Sequence, residues 1–76
     1  MYKLQHAEKQ KGEYSYTLGA ILTLNDTPVA EVYNSGQGGS HQIEFFATNF
    51  EADFAKFCHD TNTDADELIN QLAGIQ

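Results

Sequence analysis

Asp60-Thr61-Asn62-Thr63-Asp64 begins like a calcium loop, with oxygen-bearing side chains at alternate positions that could converge on one hard cation. The pattern then departs from that chemistry. Its sixth position is Ala65, where the sharp turn calls for glycine, and its twelfth is Gln71, where a glutamate would grip the ion with both oxygens. The competing reading is an interhelical turn followed by a capped helix. Cys58-His59-Asp60 sets three zinc-ligating types side by side, but neighbours on a helix point in divergent directions, and His6 and His41 are remote in sequence. Cys58 also falls on an apolar helical stripe, the place of a small buried hydrophobe rather than of a nucleophile. No Gly-x-Ser-x-Gly turn or other catalytic motif is present, so the sequence reads as a non-enzymatic protein without metal or cofactor.

Asn34-Ser35-Gly36-Gln37-Gly38-Gly39-Ser40 is the most distinctive segment, holding three of the six glycines. Glycine enters the left-handed region freely and lets another backbone or a ligand approach closely. A phosphate cradle would need these glycines between a strand and a helix N-terminus, with a Lys-Ser/Thr pair. Here a strand-like run follows and the pair is missing. Two readings remain: a wide hairpin loop, or a recognition loop offering Asn34, Ser35, Gln37, Ser40 and His41 to a partner.

The charge narrows the partner. Eleven acids oppose four lysines, arginine is absent, and the formal net charge is −7. Gripping a nucleic acid backbone or an anionic membrane takes clustered Lys and Arg, so direct binding to either is disfavoured. The field suits a basic partner, including one that itself handles nucleic acid, or serves solubility alone. Six acids crowd the C-terminal third (Glu51, Asp53, Asp60, Asp64, Asp66, Glu67) against Lys56, while residues 1–13 lean positive. Tyr14, Tyr16 and Tyr33 could stack bases, but without a basic groove they read as packing or protein-contact residues.

The elements that carry these groups follow from periodicity. At 76 residues the chain is one domain, 1–76, and its 41% hydrophobic content with nine aromatics supports a core. No apolar run is long enough to span a bilayer, and the lone Cys58 suits a reducing compartment, so a cytoplasmic location is expected. Residues 2–7 form a short first strand or a frayed arm, and Glu8 to Glu13 a polar turn. From Tyr14 to Leu24 even positions are apolar, a half-buried strand with Gly19 marking a bend or bulge. Asn25-Asp26-Thr27-Pro28 turns the chain, Val29 to Tyr33 returns, and Gln42 to Ala47 adds another strand. Thr48-Asn49-Phe50-Glu51 fits a capping box for a helix whose stripe is Phe50, Phe54, Phe57 and Cys58. A second helix starts with Thr63 as N-cap, buries Ala65, Leu68, Ile69 and Leu72, and ends at Gly74. The predicted fold class is α+β: an antiparallel β-meander of three strands, or four if residues 2–7 join, then two helices on one face.

Leu22 to Asp26 and Pro28 to Phe46 together resemble short proteins of phages and mobile elements that carry a hairpin, an N/D-x-G-x-G-G loop and an aromatic strand. The resemblance covers residues 18–46, and Gln37 stands where that pattern often has a basic residue. Some small acidic proteins of this kind inhibit bacterial defence systems, anti-CRISPR proteins among them. The resemblance implies a protein-binding inhibitor, monomeric or homodimeric, working in the bacterial host cytoplasm on a CRISPR or other defence effector. The expected contacts are Asp53, Asp60, Asp64, Asp66 and Glu67 for charge and Asn34, Ser35, Gln37 and His41 for shape. The alternatives are a calcium-binding or small-anion-binding module, or an assembly subunit pairing through a sheet edge.

Overall fold

In the computed structural model, which describes residues 1–75, four antiparallel strands form a meander in the order β1-β2-β3-β4. They are β1 (Tyr2–Lys11), β2 (Tyr16–Leu24), β3 (Thr27–Ser35) and β4 (Gln42–Phe45), followed by α1 (Thr48–Asp60) and α2 (Ala65–Ala73). The four-stranded alternative is the one adopted. The segment expected to be a polar turn, Glu8 to Lys11, instead continues β1, with Glu8, Lys9, Gln10 and Lys11 paired to Gly19, Leu18, Thr17 and Tyr16. Their polarity hid them because β1 is an edge strand whose residues 5–11 are all exposed.

Alternation puts Leu18, Ala20 and Leu22 of β2 and Ala30 and Val32 of β3 on the face covered by the helices, all of them buried. Phe54, Cys58, Leu68 and Ile69 close the core from the helical side. Tyr2 meets Phe54 and Phe57 edge-on at ring separations of 5.2 and 5.0 Å, tying β1 to α1. Lys9 donates from Nζ to the carbonyls of Ala73 (2.8 Å) and Gly74 (3.3 Å), satisfying the end of α2 with a cation where the helix dipole favours one.

Two bulges set the register. Gln5 pairs with Ile21 and Glu8 with Gly19, so His6 and Ala7 oppose Ala20 alone, and His6 sits at φ 55°. The bulge expected at Gly19 thus lies across the ladder from it. In β3, Leu22 pairs with Ala30 but Thr23 with Pro28, leaving Val29 extra and burying Val29 and Ala30 side by side. Asn25 and Asp26 form the two-residue β2–β3 turn at φ 51° and 71°, the positive pair that a type I′ hairpin requires.

The helix starts differ from expectation by one residue each. Ala47, extended and without a side-chain bond, is the N-cap of α1, so Thr48 is already helical and no capping box forms. Asp64 rather than Thr63 caps α2, its carboxylate accepting from the Glu67 amide at 2.8 Å; an aspartate there also favours the positive end of the dipole. Gly74, at φ 73°, ends α2 as expected.

Tyr2 and Cys58 make stability sensitive to alkali. Burial, then the charges of Asp53 and Cys58, raise the Tyr2 phenol above its ordinary 10.0. Burial, then Asp64, raise the Cys58 thiol above its ordinary 9.0. Both hold their protons more tightly folded than unfolded, so their contribution is complete below the unfolded values and is lost as pH rises through the folded ones. The urea midpoint is expected to fall between about pH 8 and pH 10.5, each group adding a slope of at most about 1.4 kcal/mol per pH unit. A midpoint that holds or rises over that interval contradicts this.

Candidate functional site

The glycine loop, residues 36–41, joins β3 to β4 and folds back over the 12–15 turn that joins β1 to β2. The Gly36 carbonyl accepts from the amides of Tyr14 (3.1 Å) and Ser15 (3.3 Å), and the Gly38 amide donates to Ser15 Oγ (3.2 Å). Gly12 and Gly36 touch backbone to backbone: a Cβ on Gly12 would lie 3.0 Å from Gly36 Cα and 2.5 Å from the Ser15 carbonyl oxygen. Gly36 and Gly38 also occupy the left-handed region, at φ 81° and 91°. These glycines are therefore required by the close approach of two turns.

Asn34 pins the loop from inside. It is 6% exposed; its Oδ1 accepts from the Gly36 amide (2.8 Å), an Asx turn, and its Nδ2 donates to the Gly39 carbonyl (3.0 Å). Nδ2 also lies 3.0 Å from His41 Nδ1. Because the backbone amide fixes which end of the Asn34 side chain is oxygen, His41 Nδ1 must accept, which leaves the ring proton on Nε2. That proton points to acceptors: Asn70 Oδ1 lies at 2.6 Å and Asp66 Oδ1 at 3.9 Å from Nε2. Asp66 Oδ1 additionally accepts from the His41 amide at 2.7 Å. The chain Asn34–His41–Asn70 with Asp66 locks the loop to the first two turns of α2.

The residues expected to contact a partner separate into two groups. Asn34 and His41 turn inward, the His41 side chain being only 6% exposed, and hold the loop. Ser35, Gln37 and Ser40 remain exposed beside them. Asp53, Asp60, Asp64 and Glu67 are exposed on α1, α2 and the connection between them, although Asp64 is also engaged as a cap; Asp66, 41% exposed at its side chain, spans both groups. The 60–64 segment is a helix ending: Asn62 at φ 55° donates to the His59 carbonyl (3.2 Å), and the Thr63 amide donates to that of Cys58 (2.9 Å). Among the described residues no three His, Cys, Asp or Glu side chains gather into a metal-sized cluster.

Sequence reasoning did not find the cleft that this loop builds. A recess of about 430 Å³ opens between the 12–15 turn, the glycine loop and α2, with Tyr14 and Tyr16 on one wall and Asp66 and Asn70 on another. Its volume lies in the small-molecule range of about 300–1,000 Å³. Long-range placement alone assembles it, because His41 and Asn70 are 29 residues apart. The one hint in the sequence was the density of glycines facing two tyrosines. Among the described residues no helix is long and apolar enough to cross a membrane. Compared with protein-family models, curated proteins and solved structures, the chain gives no match.

Proposed function

We propose that this domain is a non-enzymatic protein-binding inhibitor of phage or mobile-element type, active in the bacterial host cytoplasm. It covers the basic, nucleic-acid-handling surface of a defence effector in the manner of an anti-CRISPR protein. The observation that carries this reading is the charge: −7 over 76 residues with no arginine. Exposed carboxylates of Asp53, Asp60, Asp64 and Glu67 lie on the helical side, and the rigid glycine loop supplies shape beside them. A field of this sign speeds encounter with a basic surface and is screened beyond a Debye length of about 10 Å at 0.1 M salt.

The test is capture of effector proteins from a bacterial host extract on the immobilised domain, eluted with a salt gradient. Release at moderate salt is expected, with competition by nucleic acid. The variant Asp53→Lys with Asp60→Lys should weaken capture at least tenfold, since neither carboxylate bonds another protein group among the described residues. Salt-independent capture, or capture unchanged in that variant, overturns the reading.

A further inference from the structure

Gly39 differs from the other glycines of its loop. Its φ lies outside the left-handed region, and a Cβ added there would meet nothing within 4 Å. Neither conformation nor packing calls for glycine at this position; what a side chain would take up is room beside the cleft that Gly39 lines. Gly38 has a second restriction, because its Cβ would come within 3.4 Å of Tyr14 Cβ on the opposite wall.

The polar groups decide which ligand fits. An anion would need free amides, but those of Gly36, Gly38 and His41 already donate to Asn34, Ser15 and Asp66, and the Glu67 amide at the start of α2 donates to Asp64. A cation finds the opposite. Asp66 commits Oδ1 to the His41 amide, and no protein donor among the described residues bonds its Oδ2. Glu13 adds a second carboxylate against the single cation Lys11. Tyr14 and Tyr16, 71% and 40% exposed, supply ring faces that attract a planar cation and otherwise leave apolar area in water. Carboxylate and aromatic walls together favour guanidinium over ammonium, since the planar group stacks and forks at once.

We propose that this cleft is the receptor for an arginine side chain presented by the basic partner, held between the Tyr14 and Tyr16 rings and the Asp66 carboxylate. This rests on the protein-binding reading above and adds to it a defined anchoring pocket. The probe is N-acetyl-arginine amide, titrated into ¹⁵N-labelled domain at low salt, with N-acetyl-citrulline amide as the neutral isostere. Saturable shifts are expected at Tyr14, Gly38, Gly39, Asp66 and Asn70, with none from citrulline. Asp66→Asn keeps an acceptor for the His41 amide and should weaken arginine binding at least fivefold. Tyr14→Leu should do likewise, and Gly39→Leu should abolish binding while leaving the rest of the amide spectrum folded.

Equal response to citrulline, absence of saturation, or shifts centred on Asp53 and Asp60 instead of the cleft would overturn the proposal. If the probe fails while Asp53→Lys with Asp60→Lys still abolishes effector capture, the anchoring pocket is wrong and the acidic-surface reading stands. If the probe binds but no basic protein is captured, the partner is wrong.

Discussion

Gly36→Ala is expected to lower the free energy of unfolding by about 2–3 kcal/mol, from a left-handed φ that an L side chain resists and a steric collision. The new Cβ would sit 2.8 Å from Thr17 Cγ2, and Thr17 is held in place by its own Oγ1 bond to the Gln10 carbonyl. The residue cannot simply retreat, because its carbonyl accepts from Tyr14 and Ser15 and its amide donates to Asn34. Gly12→Ala should cost a similar amount by sterics alone. Its Cβ would press on the Ser15 oxygen, the atom to which the Gly12 amide donates at 2.8 Å, so relieving the contact breaks the turn. A domain of this size has about 4–11 kcal/mol of stability in total, so either change removes a large share. Urea denaturation checks this with Gly39→Ala as the control, which should stay within about 0.5 kcal/mol of the parent. Equal effects at the three positions would show that loop entropy, not close approach, governs the segment.

Asn34→Ala is expected to cost about 2–4 kcal/mol, because one truncation strands three groups in a buried place. The Gly36 amide, the Gly39 carbonyl and His41 Nδ1 all lose their partner. Asn34→Asp gives a sharper readout. The introduced carboxylate can still accept from Gly36, but it faces the Gly39 carbonyl with no proton to offer and requires His41 to carry one on Nδ1. Ring ¹⁵N shifts should therefore report the Nε2–H tautomer in the parent and a proton on Nδ1 in the variant. A parent ring protonated on Nδ1 alone would refute the orientation of the whole network.

What the sequence discloses and what it conceals follow from the range of the interactions involved. The period-two run over β2, the Asn25-Asp26 turn and the apolar stripes of both helices are local signals, and each element forms where those signals lie. β1 is longer than expected because its outer half buries nothing and is held by ladder bonds and by Lys9 reaching α2. The two N-caps shift by one residue because Thr and Asp stand adjacent at Thr63-Asp64, while at Ala47-Thr48 the backbone enters the helix before the threonine. The candidate site is the least legible part. Glycine density marked the loop, but the roles of Asn34 and His41 depend on Asp66 and Asn70, 25 and 29 residues beyond His41. No spacing rule reaches that far.

The irregularity at His6-Ala7 bears on how the protein behaves when it is concentrated. An open sheet has two borders whose unpaired amides and carbonyls could template a further strand, the route by which small β-rich domains polymerise. Here one border, β1, is kinked at the His6-Ala7 bulge and studded with Lys3, Lys9 and Lys11; the other, β4, extends for only four residues. Neither offers a straight, neutral run of the length a fibril zipper uses, about six residues. Straightening β1 by deleting Ala7 would therefore be a direct way to turn a dispersed protein into a self-templating one.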